Sequence, residues 1–125
     1  MQPSDHADLV SAVPAAEVAL RHTGENVVIV AGGEFDALTS PTLQETVHRA
    51  LAEKPTVLVL DLTGAVFFSS VAIGVLVDAV LTAGEHTAVR LVVARPIRRT
   101  LQMLGMDHYF DYYDTTQDAL TIRPP

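Results

Sequence analysis

Apolar residues in this chain fall into short unbroken runs separated by stretches of helical period. Val27 to Ala31, Val57 to Leu62 and Val89 to Val93 are rich in valine, isoleucine and leucine, the pattern of strands buried on both faces. Ala15 to Arg21 alternates weakly, like an edge strand, and the turn cluster His22-Thr23-Gly24-Glu25-Asn26 joins it to Val27 as a hairpin. Gly32-Gly33-Glu34-Phe35-Asp36 is expected to break the strand before it. Ser40-Pro41 reads as a helix start with Ser40 as the cap, followed by Leu43, Val47, Ala50 and Leu51 on one face and Pro55 beyond the end. Thr63 to Ser70 reads as a connection. A second helix covers Val71 to Ala83 and stops at Gly84. Pro96 opens a third, with Ile97, Leu101 and Leu104 on one face and Gly105 as its stop. Tyr109 to Tyr113 reads as a short last strand. Thr115 caps a final helix, Gln117 to Ile122, with Asp118 as a box-like partner.

Buried strands alternating with helices predict an α/β fold: a mostly parallel sheet of four to five strands, about four helices and right-handed crossovers. The single domain is expected over residues 15–122, with a flexible leader at 1–14 and a short tail from Arg123. In such a sheet the loops after the parallel strands emerge on one edge, where functional groups gather. That edge would carry Glu34 to Ser40, Phe67 to Ala72 and Arg95 to Arg99.

Composition narrows the function. Hydrophobic residues make up 49% and charged residues 18%, a globular balance. The formal net charge of -7 disfavours nucleic acid, which needs a positive footprint, and an anionic membrane surface. No cysteine is present, so thiolate chemistry, disulfides and Cys-zinc sites are excluded. No apolar stretch approaches the roughly 20 residues that span a bilayer. A soluble cytoplasmic protein is expected, and an oligomer is compatible with these numbers.

The helix from Val71 is unusual because Asp78 is its sole charge before Leu81. A small domain buries one side of a helix, so apolar surface should remain for a partner. The plainer reading is a helix covered further, by the C-terminal helix. Ser69 and Ser70 stand just before it. Capping of free N–H groups explains a serine there, and is the commoner reason for one. A phosphoryl group would also be tolerated at that helix N-terminus while obstructing a docked partner. Catalytic signals are weak. His6, His22, His48, His86 and His108 show no metal-ligand spacing, and Gly32-Gly33 makes no nucleotide-binding pattern. Glu34 and Asp36 are a carboxylate pair in a turn, where such groups usually accept backbone N–H bonds. An enzyme or ligand-binding module would need a base near Ser70, which no motif supplies. No enzyme activity, cofactor or metal is therefore expected. Arg95, Arg98 and Arg99 form a small basic cluster that the edge argument brings towards Ser70.

These residues carry a resemblance. Gly33-Glu34-Phe35-Asp36 resembles the G-E-[LI]-D motif of the STAS domain family, the anti-sigma factor antagonists. Val59 to Phe67 resembles that family's D-L-S-x-V-x-F strand, and Phe68-Ser69-Ser70-Val71-Ala72-Ile73-Gly74-Val75-Leu76 its F-[IL]-D-S-S-G-L-x-x-L signature. Met103 to Met106, Phe110 and Asp118-Ala119-Leu120 are similar to its closing pattern. The resemblance implies a partner switch. The unphosphorylated protein binds an anti-sigma factor, often a serine kinase with a GHKL-type ATP fold, and so frees a sigma factor. The kinase phosphorylates the motif serine, here Ser70 with Ser69 second, and a PP2C-type phosphatase reverses it. The implied partner surface is Asp36, Thr39, Ser40, Phe68, Ser69, Ser70, Val71, Ala72, Gly74 and Val75, with Arg95 and Arg98 as phosphate contacts. Ser69 stands where the family usually has Asp, and Ala72 where it usually has Gly. Those departures leave a second reading: a non-switching STAS subunit of a transporter-associated or stressosome-like assembly.

Overall fold

The computed structural model describes residues 16–121. The expected leader, the tail from Arg123, Ala15 and Ile122 lie outside the described residues. Eleven elements follow one another: β1 (Glu17–Thr23), β2 (Asn26–Phe35), α1 (Ser40–Ala52), β3 (Val57–Leu62), β4 (Ala65–Phe68), α2 (Ser70–Ala83), β5 (Ala88–Val93), α3 (Arg95–Met103), a 3-10 turn (Asp107–Tyr109), β6 (Asp111–Tyr112) and α4 (Thr116–Thr121). They form a six-stranded sheet in the order β1-β2-β3-β5-β6, with β4 also on β2. β1 and β2 are the antiparallel hairpin the turn cluster predicts, and all other pairings are parallel.

The alternation of side chains sorts the core into two. On one face Ile29, Phe35, Leu58, Leu60, Leu62 and Leu91 pack with Leu43 and Val47 of α1, Leu76 of α2 and Leu101 of α3. On the other, Val28, Val57, Val59 and Val92 pack with Ala119 of α4. The C-terminal helix thus lies across the sheet from α2, and the plainer reading of α2 as covered by that helix is set aside. α4 is held by polar anchors. Thr116 Oγ1 donates to Asp61 Oδ2 at 2.9 Å, and the buried Arg90 guanidinium donates to the Ala119 carbonyl at 2.7 Å while lying 4.9 Å from the Tyr113 ring.

Several boundaries differ from the sequence reading. Gly32-Gly33 does not end β2, which runs on to Phe35 through a bulge between Gly33 and Glu34. Gly33 adopts φ 94°, a conformation that glycine takes without the steric cost of a Cβ, and its N–H donates to the Gly64 carbonyl at 2.9 Å. Residues 65–68 are a strand and not a loop. After β3 the chain bends at Thr63-Gly64, where Asp61 Oδ1 accepts from the Thr63 N–H and hydroxyl, and then rejoins β2 as β4. Leu104 is a C-cap, 56% exposed, not part of the buried face of α3.

Candidate functional site

The bulge and the bend bring two loops together. β2 and β4 end side by side, with Phe35 paired to Phe68 and their rings edge-on at 5.5 Å. Just beyond, the Ser69 N–H donates to the Phe35 carbonyl at 2.9 Å. The turn 36–39 and the start of α2 therefore leave the sheet edge as neighbours.

Asp36 organises the first loop. Its Oδ1 accepts from the Leu38 N–H at 2.9 Å and the Thr39 N–H at 3.0 Å. The Thr39 hydroxyl, 3.1 Å from the same oxygen and 2.9 Å from the Glu34 carbonyl, accepts from the Asp36 N–H. These donors, the Thr39 N–H foremost, then the Leu38 N–H and the Thr39 hydroxyl, hold the Asp36 carboxyl below the usual carboxylate range. The geometry presents Leu38 to solvent at 88% exposure. Ser40 is not the cap. It is the first residue of α1, fully buried, with its Oγ unpartnered among the described residues, and its N–H donates to the Asp36 carbonyl.

The two serines of the second loop have different jobs. Ser69 is the N-cap of α2: its backbone is extended, and its Oγ accepts from the Ala72 N–H at 3.2 Å. Ser70 is the first helical residue and is exposed. In the chain on either side of it, Phe67 and Val71 are each 49% exposed and Val66 is 64% exposed. Gly74 is exposed, and Phe68 is half-buried. Leu81 continues the bare stripe of α2. The opposite side of the helix, including Ala72, Ile73, Val75, Leu76 and Ala79, is core. Asp78 is engaged with His48 of α1 at 2.7 Å, tying the two helices together.

Three of the residues expected on a contact surface are not exposed in this chain. Ser40, Ala72 and Val75 are buried and support the surface from beneath. Leu38 and Val66 were not singled out by sequence. For Leu38 the signal was a lone leucine in a polar turn; for Val66 it was hidden by reading β4 as a loop. The arginines sit elsewhere in the sheet order. Arg95 and Arg98 follow β5, and the Arg98 guanidinium lies 4.0 Å from the ring centre of Tyr112 on β6. Burial, then Asp107, push the Tyr112 phenol above its usual range, with Arg98 opposing. No group of three or more potential metal ligands occurs among the described residues. Nor is any described helix long and apolar enough to cross a membrane.

A family model described as the STAS domain matches residues 17–119. The chain belongs to the STAS domain family. A relative from Mycobacterium tuberculosis, the anti-sigma-F factor antagonist RsfB, is 33% identical over 101 residues, covering 80% of this chain and 82% of the relative. The anti-sigma-F factor antagonist RsfA of the same organism is 30% identical, over 97% of this chain and 98% of its own. Among solved structures, an anti-sigma factor antagonist from Mycobacterium paratuberculosis superposes with a TM-score of 0.80 at 30% identity, covering 86% of this chain and 92% of that one. In this STAS domain the site described above falls on the segments that carry the sequence resemblance.

Proposed function

We propose that this STAS domain is an anti-sigma factor antagonist, docking an anti-sigma factor through the edge formed by the turn 36–39 and the start of α2. The relatives named for that role support the reading. The observation that carries it is the exposed Ser70 at the head of α2, set among the exposed apolar side chains Phe67 and Val71. Burial of such side chains supplies binding energy, and a phosphate introduced among them would impose a desolvation cost on a partner. Within the domain the same phosphate sits at a helix N-terminus, which favours an anion. The fold is therefore compatible with both states while the contact is not.

The finer reading is a partner switch. A GHKL-type serine kinase, acting also as the anti-sigma factor, phosphorylates Ser70, and a PP2C-type phosphatase restores it. Ser69 is the poorer acceptor because its hydroxyl already caps the helix. Of the two arginines implied as phosphate contacts, Arg98 would first have to leave the Tyr112 ring. The domain itself acts by binding and not by catalysis. The non-switching STAS subunit is the competing reading, favoured by Ser69 in the position of the family's usual Asp.

Titration of candidate anti-sigma factors against wild type, Ser70→Ala and Ser70→Glu tests the switch. Ser70→Ala should bind like wild type, and Ser70→Glu should bind about tenfold or more weakly, a loss of about 1.4 kcal/mol or more. Equal binding by all three favours the non-switching subunit.

A further inference from the structure

The docking edge uses the ends of β2 and β4, but the sheet has another open feature: the outer edge of β1. No described element pairs with that edge. An unpaired strand edge offers a row of N–H and C=O groups to another strand. β1 is seven residues long and carries no proline to block such pairing. The turn Gly24-Glu25 joins Thr23 directly opposite Asn26. In a two-residue hairpin that closing pair is hydrogen-bonded, so the odd-numbered residues of β1 bond to β2. The even-numbered ones, Val18, Leu20 and His22, direct their backbone groups outward.

The side chains are self-complementary in this frame. Val18 and Leu20 pack towards the main core, while Glu17, Ala19 and Arg21 are exposed on the opposite face. Glu17 and Arg21 have no ion-pair partner among the described residues. They lie symmetrically about Ala19. We infer that two copies of this chain associate through antiparallel β1 strands, related by a two-fold axis at Ala19.

About that axis Val18 faces Leu20 of the other copy as a hydrogen-bonded pair, using the outward backbone groups of both. Glu17 faces Arg21 twice, in the closer, non-hydrogen-bonded type of pair, where opposite charges attract best. Ala19 meets its own copy at the centre, and its methyl group leaves the strands free to approach. The contact is isologous and closes as a dimer, joining two sheets into one.

Charge exchange on the full chain tests this. Wild type should self-associate with rising concentration in sedimentation equilibrium. Glu17→Arg and Arg21→Glu should each raise the dissociation constant about tenfold by placing like charges opposite one another. The double variant, with the charges exchanged, should restore it. The register has its own test, because the chain has no cysteine. Ala19→Cys should form a disulfide-linked dimer on mild oxidation, since non-hydrogen-bonded partners lie about 4.5 Å apart at Cα. Arg21→Cys should not, because its copies would be separated by four residues of strand, about 13 Å. A wild type that stays monomeric at millimolar concentration, single variants that associate as well as wild type, or equal cross-linking at the two positions would each overturn the inference.

Discussion

At the scale of single residues, two adjacent serines at the head of α2 differ in role. Ser69 accepts from the Ala72 N–H and so caps α2, whereas Ser70 is exposed at the first helical position. Ser69→Ala is expected to lower stability by about 1 kcal/mol, the usual cost of losing a cap, while Ser70→Ala stays within about 0.5 kcal/mol of wild type. Urea unfolding of the two variants checks this, and equal losses would contradict the division of labour. Asp36 provides a pH signature. Its carboxyl is held below the normal range by the Thr39 and Leu38 N–H groups and the Thr39 hydroxyl. Protons therefore bind the unfolded chain more tightly at this site. The resulting stability is present above the usual Asp range and is lost as pH falls through the depressed folded value. Asp36→Ala should unfold at lower urea than wild type near neutral pH, and the gap should narrow in acid. A gap that widened towards low pH would reverse the sign.

At the scale of elements, the sheet edge exists because two strand irregularities align. The β2 bulge at Gly33 and the bend at Thr63-Gly64 let β4 pair with the end of β2 after β3 has paired with its start. Gly33→Ala, placing a Cβ at φ 94°, should cost about 1–2 kcal/mol and displace the turn at Asp36. Denaturant midpoints and amide shifts of residues 35–39 would report it, and an unchanged protein would remove Gly33 from the argument.

These elements also mark how far sequence alone reaches. The long buried strands and the amphipathic α1 were legible because their periods are strong, as in Val57 to Leu62 and in Leu43, Val47, Ala50 and Leu51. β4 was not, since its four residues form no period and its Val66 and Phe67 are exposed. The cap of α1 was misread because Ser40 precedes Pro41, a good local start signal, yet the helix begins one residue earlier, and the Leu38 and Thr39 N–H groups just before it go to Asp36. The buried Arg90 was invisible for a different reason. An arginine inside a valine-rich strand finds a carbonyl partner in α4, far along the chain.

At the scale of the whole molecule, one face of the sheet carries α1, α2 and α3, and the other carries α4. That leaves α2 with a buried side and a bare stripe of Val71, Gly74 and Leu81. The core beneath is dense, and truncating the fully buried Leu60 to alanine should cost about 2–5 kcal/mol, which thermal unfolding would reveal. The surface above that core is what a partner would meet. The central claim is that Ser70 is the switch on it. The most direct measurement is incubation of the wild-type chain with each serine-kinase-type anti-sigma factor of its own genome and ATP, with the phosphate mapped by mass spectrometry. The account predicts one phosphate, on Ser70. Phosphate on Ser69, or none with a kinase that binds the chain, would contradict it.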